Sequence, residues 1–300
     1  MRVLYATDGS TAAREGQRLI TSLFDPSAGN VHVFSVAPEA VYLPDSLDTS
    51  YEMERLDLPP LNAEEIAMES ADHLADKAFT VSSSSARGNP ALEILRLLET
   101  EKYDLAVLGA GHTTWAGNLL LGSVSTHVLH HAPCSVVVTH RAPTGSGRIL
   151  LGIDGSNEAM GSARMVTQIL DRTKCSFTVA NTVARPWAPI PVFPPGLPFH
   201  SHVDYRALQE QQIEHAWHLV ERTCEELRDA GFDADGAVLS GSAGPQLLKE
   251  AENLSADLVV VGSRGLGPMK RTILGSVGDQ VMRHAPATLV GRFPKDAESP

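Results

Sequence analysis

The chain has 300 residues, 43% hydrophobic and 20% charged, an ordinary globular composition that excludes general disorder; at roughly 100–200 residues per domain it favours two domains. Lys and Arg (24) against Asp and Glu (36) leave a net charge of −12, which disfavours nonspecific binding to nucleic acid or to an anionic membrane. Cys134, Cys175 and Cys224 have no zinc or disulfide-framework spacing, no run of about 18 apolar residues occurs, and the first residues leave no room for a signal peptide, so a soluble protein of the reducing cytoplasm is expected.

VLYAT (3–7) is an apolar run of strand length, and Ala12, Ala13, Gly16, Leu19, Ile20 and Leu23 then recur at the spacing of a helix face. VHVFSVA (31–37) predicts a second strand, residues 63–77 a helix and residues 79–83 a short third strand. Asn89 and Pro90 read as the N-cap and first position of a helix whose Ile94, Leu95 and Leu98 share one side. LAVLG (105–109) and SVVVT (135–139) have the continuous apolar character of strands buried on both faces, and Gly122 with Ser123 opens the helix between them.

The order then starts again. VLYATDGSTAAREG (3–16) aligns with ILLGIDGSNEAMGS (149–162), which places Asp8 over Asp154 at an offset of 146. LAVLGAGH (105–112) aligns with LVVVGSRG (258–265), and LLGSVSTHVLHHAPC (120–134) with ILGSVGDQVMRHAPA (273–287), at an offset of 153, so the second copy carries about seven extra residues. RAPTGSGR (141–148), all turn formers without periodicity, is the predicted linker. The pattern predicts two tandem doubly wound α/β domains, 1–140 and 149–293, with 294–300 as a tail. Each is a five-stranded parallel sheet with helices on both faces. Such sheets bind ligands outside the carboxyl ends of their strands, where strand order reverses.

At those ends stand Asp8 and Asp154, each followed by Gly-Ser. The fourth strand of the second copy ends in Gly262-Ser-Arg264-Gly265, with Gly275-Ser276 nine residues later. Glycines let backbone N–H groups approach a ligand, and a helix N-terminus presents unpaired donors and partial positive charge, a geometry that suits an anion. The same residues also serve as turns and helix caps, and both readings stand at this point. In the first copy Gly109, Gly122 and Ser123 match, but His112 replaces Gly265, and Arg264, Lys270 and Arg271 become Gly111, Gly117 and Asn118. The second copy is therefore the stronger candidate for a phosphate.

An Asp at the end of the first strand, with GxxGx9GS and a Val opening the last helix, resembles the ATP-binding type of universal stress protein in tandem form, over nearly the whole chain twice. The resemblance implies a nucleotide-dependent switch in stress adaptation that binds ATP or a related adenine nucleotide, with or without magnesium. It assigns Asp154 to the adenosine part, Val183 to the adenine, and Gly262, Gly265, Gly275, Ser276 and Val277 to the ribose and phosphates. In the first half Asp8, Val36, Gly109, Gly122, Ser123, Val124 and Ser125 match, and Gly278 stands where Ser125 supplies a hydroxyl. A homodimer is expected, and no downstream partner is identified.

No GxxxxGK[ST], GxGxxG or GxSxG occurs, so a P-loop NTPase, the common dinucleotide fingerprint and the hydrolase elbow are not expected. The remaining rivals are a slow ATPase or nucleotidyl-transfer enzyme and, at least for the first copy, a protein-interaction module. His127, His130 and His131, and the pair His200 and His202, are read as surface histidines and not as metal ligands. The proline-rich stretch 184–205, with Trp187, Phe193 and Phe199, is expected to hold most of the extra length, as a lid, a dimer contact or an irregular loop.

Overall fold

The computed structural model describes residues 1–38, 62–111, 121–184, 205–263 and 275–292. They divide into two units, one dominated by Met1–Pro143 and the other by Thr144–Thr167 with Arg172–Gly291. The first unit runs β1 (Arg2–Ala6), α1 (Thr11–Leu23), β2 (Asn30–Ala37), α2 (Ala63–Ala75), β3 (Thr80–Arg87), α3 (Pro90–Glu101), β4 (Leu105–Gly109), α4 (Ser123–His131) and β5 (Ser135–Thr139). Its strands lie in the order β3-β2-β1-β4-β5, all parallel. The second runs β6 (Arg148–Gly152), α5 (Asn157–Ile169), β7 (Ser176–Val183), α6 (Tyr205–Asp229), β8 (Asp233–Ser240), α7 (Ala243–Leu254), β9 (Leu258–Gly262), α8 (Ser276–His284) and β10 (Ala287–Gly291). Its order, β8-β7-β6-β9-β10, repeats the first, again parallel. Each unit is thus the doubly wound sheet that the alternating pattern predicts.

Packing follows the apolar runs. Val3–Ala6 of β1 and Leu105–Leu108 of β4 are buried, because helices cover both faces of these central strands, and every residue of β5 is buried as well. The buried face of α1, Ala13, Gly16, Gln17, Leu19, Ile20 and Leu23, contains all but one of the predicted positions plus Gln17, whose amide donates to the Ser70 carbonyl at 2.9 Å. Tyr5 on β1 donates to the Ala13 carbonyl at 2.8 Å and so ties α1 to the sheet. Burial pushes its phenol up to about 12. Asn89 caps α3 by accepting from the Leu92 N–H at 3.2 Å, with Pro90 opening the helix.

Three details go beyond the pattern. β3 is eight residues long, Thr80–Arg87, because its backbone ladder with β2 continues through four serines that carry no apolar alternation. The second unit's surplus lies between β7 and β8, where α6 spans 25 residues against 13 in α2; most of the proline-rich stretch lies outside the described residues. Within the predicted linker, 141–148, residues from Thr144 onward group with the second unit, and Thr144, Ser146 and Gly147 hydrogen-bond to the Asp257 carboxylate.

Candidate functional site

Strand order reverses in the first unit between β1 and β4, which pair side by side (Ala6 with Leu108), and in the second between β6 and β9. The loops leaving these strands therefore emerge next to each other, the place where doubly wound sheets hold ligands. On one side stands the Asp-Gly-Ser turn. Asp8 Oδ1 accepts the Ser10 N–H at 2.9 Å and Asp154 Oδ1 accepts the Ser156 N–H at 3.0 Å, so each carboxylate is set by a short local turn that leaves its second oxygen outside that bond. Gly9 and Gly155 take φ of +74° and +82°, a region that residues with a Cβ rarely enter. Ser10 and Ser156 then cap α1 and α5 through the N–H groups of Ala13 and Ala159. Asp8 is exposed and Asp154 half-buried.

Facing the turn is the end of the fourth strand. A Cβ on Gly109 would lie 2.3 Å from the Ala12 carbonyl oxygen, so only glycine lets β4 end against the backbone of α1. Gly122 and Gly275 sit at the N-caps of α4 and α8 in extended backbone without a side-chain cap bond. Gly122 N–H donates to the Ala110 carbonyl at 2.5 Å and Gly275 N–H to the Ser263 carbonyl at 2.9 Å, which pins each helix start beside the strand end. The first amides of the two helices, from Ser123 and from Ser276, have no intrahelical acceptor and carry the positive end of the helix dipole.

Val36 and Val183 lie near the ends of β2 and β7; Val36 is half-buried and Val183 buried. The Thr7 N–H donates to the Phe34 carbonyl and the Ile153 N–H to the Ala180 carbonyl, both at 2.9 Å, so β2 and β7 also end beside the Asp turns. Asp8, Val36, Gly109, Gly122, Ser123, Val124 and Ser125 are thus all carried by segments at one edge of the first sheet, as are Asp154, Val183, Gly262, Gly275, Ser276 and Val277 in the second. Arg264, Gly265, His112, Lys270 and Arg271 lie outside the described residues. Ser125 is buried and its hydroxyl donates to the Gly109 carbonyl at 2.6 Å, a bond that holds α4 to β4.

Thr7 and Asn181 lie outside the glycine signature. Thr7 Oγ1 accepts the Gly9 N–H at 3.1 Å, and Asn181 Nδ2 donates to the Ile153 carbonyl at 2.8 Å, at the mouth of the second unit. Asn181 shares β7 with Ser176, Thr178 and Thr182, so its polarity alone gave no signal. Its counterpart Ser35 is buried, and its hydroxyl has no partner among the described residues. Among the described residues no helix is long and apolar enough to cross a membrane, and no group of three or more His, Cys, Asp and Glu is placed to hold a metal. Cys134, Cys175 and Cys224 are buried, and burial pushes the Cys134 thiol up to about 12.

Fold and site together define a tandem pair of doubly wound domains with a glycine-capped helix start at each switch point. Residues 1–140 and again 145–290 match the universal stress protein family, to which the chain belongs. It is 30% identical over 234 residues to the universal stress protein Rv2623 of Mycobacterium tuberculosis, covering 71% of this chain and 73% of that one. A universal stress protein structure from Archaeoglobus fulgidus superposes with a TM-score of 0.65 at 19% identity, covering 97% of this chain and 98% of the other. A functionally unknown protein from Pseudomonas aeruginosa gives 0.61 at 16% identity, covering 98% and 93%; at these identities the likeness concerns the fold.

Proposed function

We propose that the protein binds ATP or a closely related adenine nucleotide at the carboxyl edge of its sheets, with the second unit as the more secure site, and that occupancy acts as a switch in a stress response. One observation carries this reading: in both units an Asp turn and a glycine-capped helix start flank the strand-order reversal. Asp154 would accept from the ribose hydroxyls, Val183 would lie against the adenine, and the amides from Ser276 onward would meet the phosphates. Each charge-assisted bond to phosphate contributes about 1.5–3 kcal/mol, so three or four reach micromolar affinity after association costs. Asn181, beside Val183 on β7, belongs to the same wall.

The experiment is native mass spectrometry of the protein as purified, followed by calorimetry of ligand-stripped material with ATP. Asp154→Ala and Gly275→Val should each weaken binding about tenfold or more; unchanged affinity in both removes the assignment. For the first unit a protein-interaction role is the second reading, favoured by the exposure of Asp8 and by the substitution of His112 for the glycine found in the second copy. A count of one nucleotide per chain supports it, and a count of two removes it. Magnesium dependence and the homodimer are checked in the same spectra, by mass.

A further inference from the structure

Near the amino ends of the strands, away from the Asp turns, the first unit holds a hydrogen-bonded series of side chains that the nucleotide reading does not use. Ser84 Oγ on β3 lies 2.8 Å from His32 Nε2 on β2. His32 Nδ1 is hydrogen-bonded to the Tyr103 hydroxyl, and that hydroxyl donates to Glu101 Oε2 at 3.3 Å. Arg2 completes the group: it ion-pairs with Glu101 at 2.9 Å and its guanidinium lies 4.7 Å from the centre of the Tyr103 ring.

One proton arrangement satisfies every bond. A Tyr103 O–H that donates to the Glu101 carboxylate offers its oxygen to His32 Nδ1–H, which leaves the lone pair on Nε2 to accept the Ser84 hydroxyl. That is the order of donors and acceptors found wherever a serine is activated by an oriented imidazole. Burial holds His32 below its ordinary value of 6.5, with Glu101 opposing and Arg2 reinforcing, so the ring is neutral at neutral pH and its Nε2 lone pair is open to a proton. Ser84 is exposed on the edge strand and His32 half-buried, so an electrophile reaches the hydroxyl from solvent.

The second unit separates what the fold needs from what this cluster adds. There Arg148 still donates to the Leu254 carbonyl at 2.8 Å, as Arg2 does to the Glu101 carbonyl. His32, Ser84, Glu101 and Tyr103, by contrast, align with Thr178, Ala237, Leu254 and Ala256. The helix cap recurs; the Ser–His–Tyr–Glu series does not, so the shared fold does not require it.

We infer that Ser84 is a base-activated nucleophile that takes up small activated acyl groups, with His32 as its base and Tyr103 and Glu101 as positioning residues. Ser84 Oγ bonds to the acyl carbon as the bond to the leaving group breaks. The hydroxyl proton passes to His32 Nε2 and from there to the departing group; water then releases the acid by the reverse transfer.

The test uses the full chain with a fluorophosphonate, whose phosphorus bonds to the serine oxygen as fluoride leaves and the proton passes through His32 to solvent. Intact mass and peptide mapping should give one adduct, on Ser84, absent in Ser84→Ala and retained in Ser85→Ala. His32→Gln should slow labelling about 100-fold with the melting temperature held, the usual scale for a general base. Tyr103→Phe should slow labelling and move the midpoint of its rise with pH. No adduct, equal labelling across Ser82–Ser85, or an unchanged rate in His32→Gln overturns the proposal, and an unchanged rate and midpoint in Tyr103→Phe overturns the relay behind it.

Discussion

Gly147 donates its backbone N–H to Asp257 Oδ2 at 2.8 Å, the inner of several bonds by which one buried carboxylate gathers the chain leading into β6. The Thr144 N–H and hydroxyl donate to Oδ1 at 2.5 and 2.8 Å, the Ser146 hydroxyl to Oδ2 at 3.1 Å, and the Asp257 N–H returns a bond to the Arg148 carbonyl at 2.8 Å. Asp104 holds the same place in the first unit, accepting the Arg2 N–H at 2.7 Å and donating its own to the Arg2 carbonyl at 3.0 Å. Asp257 is 1% exposed whereas Asp104 faces solvent, so their replacements differ in cost. Asp257→Ala leaves buried donors unmet and should destabilise the second unit by about 3 kcal/mol; Asp104→Ala should cost about 1 kcal/mol or less. Urea unfolding followed by circular dichroism measures both, and equal costs would mean that burial does not set the strength of this clamp.

Gly109 gives a second test. A Cβ there lies 2.3 Å from the Ala12 carbonyl oxygen and 2.7 Å from the Ala13 nitrogen, both backbone atoms that cannot rotate away. Gly109→Ala should therefore push α1 from the end of β4 and cost about 2–3 kcal/mol, in the range of overpacked cores. The same shift would displace Gly122, so nucleotide binding in the first unit should fall while the second unit keeps its own. A stability equal to wild type would mean that α1 sits farther from β4 than described.

The sheet was legible because its central strands are buried on both faces and read as unbroken apolar runs, and because the chain says the same thing twice. The Asp-Gly-Ser turns at Asp8 and Asp154 were legible for the second reason. β3 was underread because an edge strand of serines has no apolar alternation, and its length comes from the ladder with β2. The clamp at Asp257 was hidden in plain alignment: Asp104 and Asp257 precede their strands at equivalent positions, yet an acidic residue before a strand has no local signature until its distant partners, Arg2 and Gly147, are in place. Ser125 illustrates the opposite limit. Its position in the glycine signature is plain, but whether its hydroxyl faces a ligand or the Gly109 carbonyl depends on how α4 meets β4.

Ser125→Ala separates those two roles. Loss of the buried bond to Gly109, 2.6 Å long, should destabilise the first unit by about 1 kcal/mol. Because the hydroxyl is engaged with the protein, nucleotide occupancy counted by native mass spectrometry should not change. A drop in occupancy without a drop in stability would return Ser125 to the binding site.

His32 makes stability depend on pH in a direction that its burial decides. The folded protein holds the ring below 6.5, chiefly by desolvation, whereas the unfolded chain titrates near that value. Above about 7 the imidazole is neutral in both states and contributes no slope. As pH falls below 6.5 the unfolded chain takes up a proton that the folded chain refuses, so this part of the stability is lost progressively until the folded pKa is passed. His32→Gln removes the titration. The chain has 12 histidines and many carboxylates, so the informative quantity is the difference between wild type and variant, in which the common titrations cancel. That difference in unfolding free energy should be constant from pH 7 to 8 and should move in favour of His32→Gln as pH falls from 6.5 towards 5. A difference that moves in favour of the wild type over the same range would mean that Glu101 governs His32 more strongly than burial does, and that the ring carries a proton beside Ser84.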